Sequence, residues 1–194
     1  MAKLGLGINV HDESINRIKW TFDNFERIYL SFSAGKDSTV MLHLVAQEAQ
    51  RRNKKIGLLL VDLEGQYKLT IDHALEMIEI YKDVLEVYWC CLPIALRNAV
   101  SVYEPKWTCW DDEKQEDWIR QIPDIAISDV NYFPFFKKNM EFEDFVPLFG
   151  EWYSKGKSTA CLVGIRADES LNRFRTIASS SKVKKQDKQY TTKV

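Results

Sequence analysis

The chain reads as an α/β domain with an open, mainly parallel sheet and helices on both faces. Three observations predict this class. Helical and strand-like periods alternate along the sequence. The strand candidates are continuous apolar runs, as strands buried on both faces require. Finally, 194 residues with 45% hydrophobic, 12% aromatic and 28% charged content suit one globular domain able to bury its own core.

Taken in order, the elements follow from spacing. Ile15, Ile18, Phe22 and Phe25 place an apolar stripe on a helix from about 12 to 24. The β-branched and aromatic run Arg27 to Phe32 predicts a strand ending at Ser33-Ala34-Gly35-Lys36-Asp37-Ser38, after which Val40, Met41, Leu44 and Val45 resume helical spacing. A buried strand is expected over Ile56 to Val61. Next come a helix near 68–81 with Ile71, Leu75 and Ile78 inward, and a strand over Val84 to Cys91. Residues 101–138 break the rhythm. They carry Trp107, Trp110, Trp118 and Phe133 to Phe136 among acidic residues, and read as an insertion, either a lid or a packed subdomain. Phe142, Phe145, Phe149 and Trp152 restore helical spacing over 141–154, and Ser158 to Gly164 is the last strand. The domain is thus placed at 1–178, with a basic polar tail at 179–194.

Composition removes several classes. The longest apolar stretch, Ile56 to Val61, is far shorter than the ~20 residues that cross a bilayer, so no membrane partner is expected. Cys90, Cys91, Cys109 and Cys161 have neither Cys-x-x-Cys spacing nor a disulfide framework; buried thiols in a reducing cytoplasm are expected. The net charge of −1 divides unevenly: residues 165–194 hold eight basic and three acidic side chains, +5, against −6 elsewhere. Such a tail could meet phosphates, so nucleic-acid contact is one reading and a solvated tail the other.

The loop Ser33 to Ser38 carries the sharpest chemistry. A helix N-terminus exposes unpaired N–H groups and about half a positive charge, so a Gly-containing turn from strand into helix seats phosphate. Gly35 permits close approach, Ser33 and Ser38 offer hydroxyls, Lys36 adds a cation, and Asp37 can cap the helix or hold Mg²⁺. A Walker loop is excluded, because Leu30 and Asp37 stand where that pattern needs Gly and Ser or Thr. The second cluster, Gly164-Ile165-Arg166-Ala167-Asp168-Glu169-Ser170-Leu171-Asn172-Arg173, follows the last strand. It is either an exposed helix start or the other rim of the same crevice. Ligands in open parallel sheets bind beyond the carboxyl ends of the strands where strand order reverses, which favours the rim.

The first loop resembles the Ser-Gly-Gly-x-Asp-Ser loop of the N-type ATP pyrophosphatases, the adenine nucleotide alpha hydrolase-like superfamily with its Rossmann-like fold. Ala34 replaces the first Gly, and Ala is poor at positive φ. With Gly-x-Arg-x-Asp-Glu-Ser and a later Arg, the chain is similar to the phosphoadenosine phosphosulfate (PAPS) reductase branch. The segment Trp107 to Asp111 makes it similar to the immunoglobulin-binding regulator A-like subgroup, whose members are usually longer. The resemblance implies an adenine nucleotide, ATP or a relative, with Mg²⁺ at Asp37. Ser33, Ala34, Gly35, Lys36, Asp37, Ser38, Gly164, Arg166, Asp168 and Glu169 would line the site, and Asp62 would support adenine or ribose unless it is a strand-end cap. Lys36, Asp37, Arg166 and Arg173 are the implied catalytic set.

True PAPS reductases carry a Glu-Cys-Gly-Leu-His nucleophile segment that this sequence lacks, and Cys161 falls in a strand expected to be buried. Thiol-dependent reduction by this chain alone is therefore not expected. The leading expectation is cleavage of ATP between the α and β phosphates with adenylyl transfer to an acceptor. The alternative is a nucleotide-sensing regulator working beside a ParB/sulfiredoxin-like protein partner.

Overall fold

The computed structural model describes residues 7, 9–98, 100 and 102–165. The expected tail at 179–194 lies outside the described residues.

Helix α1 (Val10–Asn24) starts where the Asn9 side chain accepts from the His11 amide, at 2.9 Å, and buries Ile18 and Phe22. Strand β1 (Arg27–Ser31) leads into α2 (Lys36–Arg51), β2 (Ile56–Val61), α3 (Lys68–Ile80) and β3 (Leu85–Cys90). A short ribbon follows, β4 (Ala95–Arg97) antiparallel to β5 (Lys106–Thr108). A 3-10 turn spans Asp112–Asp117, and α4 (Phe142–Ser154) and β6 (Thr159–Val163) complete the described fold.

Among the described residues the main sheet has four parallel strands in the order β3-β2-β1-β6. The α/β class with an open parallel sheet is therefore the observed one. Both α2 and α3 connect strands stepping in the same direction, so right-handed crossover puts them on one face. The return to β6 reverses direction and puts α4 on the other. There Tyr29 and Gly57, register partners, receive it: a Cβ on Gly57 would stand 2.9 Å from the Tyr153 ring, and Tyr153 donates to the Ile28 carbonyl at 3.0 Å. Only glycine leaves room for that ring. Tyr29, Tyr88, Phe149 and Tyr153 meet edge-on or stacked with centroids 5.3–5.8 Å apart, burying α4 on the sheet.

In α3 the inward set is Ala74, Met77 and Ile78, and Leu75 points outward, contrary to expectation. Residues at i, i+3 and i+4 share a face, and Ala74 is small enough to let the helix approach the sheet. The segment between β3 and α4 is packed: Trp110, Phe133 and Phe136 are buried and belong to the main core. Cys90, Cys91 and Cys109 are buried as well. Burial pushes the Cys90 and Cys91 thiols far up and that of Cys109 to about 11, which keeps them protonated. Cys161 corrects the expectation, because it is exposed on edge strand β6. Its surroundings nevertheless push the Cys161 thiol up to about 11, burial outweighing the hydrogen bond with Tyr29, so it too is held protonated.

Candidate functional site

The crevice forms where the sheet reverses, between β1 and its neighbours β2 and β6. The backbone leaves β1 at Ser31, and Ala34 takes φ +56, the left-handed region that glycine occupies without strain. That turn redirects the chain so that Gly35 becomes the N-cap of α2.

Hydroxyls hold the loop in shape. The Ser38 Oγ, buried, donates to the Gly35 carbonyl at 2.9 Å and lies 3.1 Å from Ser33 Oγ. The Thr39 hydroxyl donates to the same carbonyl at 2.9 Å and stands 3.0 Å from His73 Nε2 on α3. Since that hydroxyl proton is already given to Gly35, the ring nitrogen is the donor. The N-cap, Gly35, has no side chain to cap α2, and Asp37 sits half-buried in the first turn. The first amides of α2 therefore keep their electropositive end toward the crevice, with Lys36 exposed beside them.

The carboxyl end of β6 comes to this loop. A Cβ on Gly164 would lie 3.2 Å from the carbonyl carbon and oxygen of Asp37 and from the Ser38 nitrogen. The last strand and the Ser33 to Ser38 loop, more than a hundred residues apart in sequence, thus touch backbone to backbone. Arg166, Asp168, Glu169 and Arg173 lie outside the described residues.

Next to the loop opens a cleft of about 220 Å³. Ser33 and Ala34 close one edge, Leu60, Val61, Ile71 and Ala74 give apolar walls, and Gln66 and Thr70 supply polar groups. Phe142, at the start of α4, and Leu63 complete it. Sequence spacing placed Phe142 on a core stripe; it is 37% exposed because it faces this opening. The strand-end residues were findable from the rule that ligands sit beyond strand carboxyl ends. Phe142, which approaches through tertiary packing, carried no such signal.

Asp62 takes the second of its two readings. It is 0% exposed, and its carboxylate accepts from Trp89 Nε1 at 2.8 Å, from the Glu64 amide at 2.9 Å and from Arg120. Arg120 also donates to the Glu64 carbonyl oxygen at 3.1 Å. The Glu64 carboxylate accepts from the amides of Trp110 (2.8 Å) and Ile119 (3.1 Å), and Trp110 Nε1 donates to the Asp62 carbonyl at 2.7 Å. The acidic pair after β2 therefore anchors the aromatic segment to the sheet. Among the described residues no group of three or more His, Cys, Asp or Glu could hold a metal ion.

A helix start at a sheet reversal, a strained turn and an apolar cleft beside it, over the ends of β1 and β2, sit on a Rossmann-like adenine nucleotide alpha hydrolase fold. Residues 27–191 match the phosphoadenosine phosphosulfate reductase domain, and the chain belongs to that family. It is 44% identical over 192 residues to the uncharacterized protein YbdN of Escherichia coli (strain K12), a similarity covering 98% of this chain. The chain spans 47% of the length of that relative. Among the described residues no helix is long and apolar enough to cross a membrane.

Proposed function

We propose that the protein binds ATP or a related adenine nucleotide, with its phosphates on Ser33 to Ser38 and its base in the cleft walled by Leu60 and Ile71. We propose further that it cleaves ATP between the α and β phosphates and transfers the adenylyl group to an acceptor. The observation that carries the reading is the continuity of the two halves: Ser33 and Ala34 belong both to the loop at the uncapped start of α2 and to the cleft edge. A polyanion and a flat heterocycle joined by a sugar match that pairing.

Half a charge from a helix end does not balance a triphosphate, so cations must be added. Lys36 supplies one, and Arg166 and Arg173 are the proposed others. Mg²⁺ would enter with the phosphates, with Asp37 as its single protein ligand, and would neutralise charge on them. The residues themselves place and hold: Ser33 and Ser38 orient phosphate oxygens, and the apolar walls exclude water from the base.

Calorimetry with ATP, ADP and PAPS in Mg²⁺, paired with α-labelled ATP across candidate acceptors, tests this. ATP binding is expected to weaken about tenfold or more in Lys36→Ala. Gly164→Ala is expected to weaken it too, since the new methyl pushes on the Asp37 backbone. Absence of binding by all three nucleotides in the parent chain overturns the reading. Tight binding with neither pyrophosphate nor adenylate released would instead favour the nucleotide-sensing module with a ParB/sulfiredoxin-like partner. That second reading draws on the missing reductase segment and on similarity to the immunoglobulin-binding regulator A-like subgroup.

A further inference from the structure

A second cleft, also about 220 Å³, lies between the β4–β5 ribbon and the start of α4, and shares Leu63 and Phe142 with the first. Its floor is apolar, from Leu63, Ala95, Leu96 and Phe142. Its charges come from Arg97, Lys106, Glu141 and Glu143.

These four sum to zero but are unevenly paired. Arg97 and Lys106 are directly opposed across the ribbon and so project from one face. Lys106 is bonded to Glu141, whose carboxyl is held below its usual range by the bond and charge of Lys106, with Arg97 adding the smallest contribution. One carboxylate thus serves two cations. Arg97 is exposed and has no salt bridge among the described residues. Glu143, also exposed, lies in the first turn of α4, where the helix dipole already offsets a negative charge. A two-stranded ribbon offers Arg97 no comparable field. The group that this cleft leaves short of a partner is the guanidinium, whose planar fork matches a carboxylate.

We infer that the Arg97 cleft binds a small carboxylate with an apolar tail, the carboxylate on Arg97 and the tail over Leu63, Leu96 and Phe142. This site is separate from the proposed nucleotide site, and its occupancy does not depend on that reading. Leu63 and Phe142 line both clefts and form the wall they share.

The test titrates 4-methylpentanoate, 4-methylpentanamide and 3-methylbutylamine into the ¹⁵N-labelled full chain without nucleotide, following the amides of Leu96, Lys106 and Phe142. The carboxylate is expected to give saturable shifts at these residues, with the amide and the amine about tenfold weaker or worse, since a charge-assisted hydrogen bond is lost. Arg97→Gln, a change at an exposed position, is expected to abolish the preference for the carboxylate, and Lys106→Gln to weaken binding by returning Glu141 to Arg97. Equal binding of the amide or amine, no saturable shift with the carboxylate, or an unchanged affinity in Arg97→Gln overturns the inference. Because no nucleotide is present, failure here is separate from failure of ATP binding. A chain that binds the carboxylate and not ATP upholds this site while the nucleotide reading fails.

Discussion

Ala34 shows how a single side chain can mark a site. Its φ of +56 lies where an L-residue with a Cβ is disfavoured by about 1 kcal/mol or more, and the related loops resembling this one place glycine there. The strain persists because Ser38 and Thr39 lock the next carbonyl, at Gly35, from two directions. Ala34→Gly is therefore expected to raise stability by about 0.5–1 kcal/mol, less than the full strain because glycine also frees the unfolded chain. Thermal denaturation measures it, and a loss of stability would show that the Ala34 methyl makes packing contacts worth more than the strain. The same loop was legible in the sequence, since serines, glycine and lysine in that order between a strand and a helix have few other uses. The hydrogen bond from His73 to Thr39 was not legible, because it joins two helices through residues 34 apart.

At the scale of elements, legibility followed the range of the interactions. Strands β1 and β2 stood out because buried parallel strands are continuous apolar runs, and α4 because its aromatics repeat on one face. Helix α3 was misread at Leu75, where residue size was taken for direction while tiny Ala74 made the close contact. The segment between β3 and α4 resisted because its organising contacts are remote: Asp62 to Arg120 spans 58 residues and Glu64 to the Trp110 amide spans 46. No local period encodes them. That network yields a sharp expectation. Arg120→Ala leaves Asp62 charged, wholly buried and without its cation, a change that in comparable buried pairs destabilises by about 3–5 kcal/mol. Denaturant unfolding with Trp fluorescence should register the loss, with Trp89 and Trp110 both beside the change. Removing the partner charge as well, in Asp62→Asn with Arg120→Met, is expected to recover part of the stability, whereas additive losses would show that the pair is not coupled.

The whole molecule joins α1 to α2 through charge as well as grease, and this shapes its response to acid. Arg52 reaches back from the end of α2 to Asp23 on α1, at 2.5 Å, and shares the buried Glu48 with Arg51. The Arg51 hydrogen bond, with Arg52 adding to it, lowers the Glu48 carboxyl from 4.5 to about 2 despite its burial. A depressed folded pKa means that the unfolded chain takes up the proton first as pH falls. The stabilisation is then complete above the unfolded value near 4.5 and disappears as pH drops through about 2. Arg51 is 60% exposed, so solvent screening reduces the contribution to about 1–2 kcal/mol. Glu48→Gln is accordingly expected to be less stable than the parent at pH 7 by that amount, and to draw level with it near pH 2. Chemical denaturation midpoints at pH 7, 4 and 2 decide the matter. A constant offset between the two proteins across that window would mean that Glu48 acts by shape, and its ion pairs would then not be what fastens α1 to the rest.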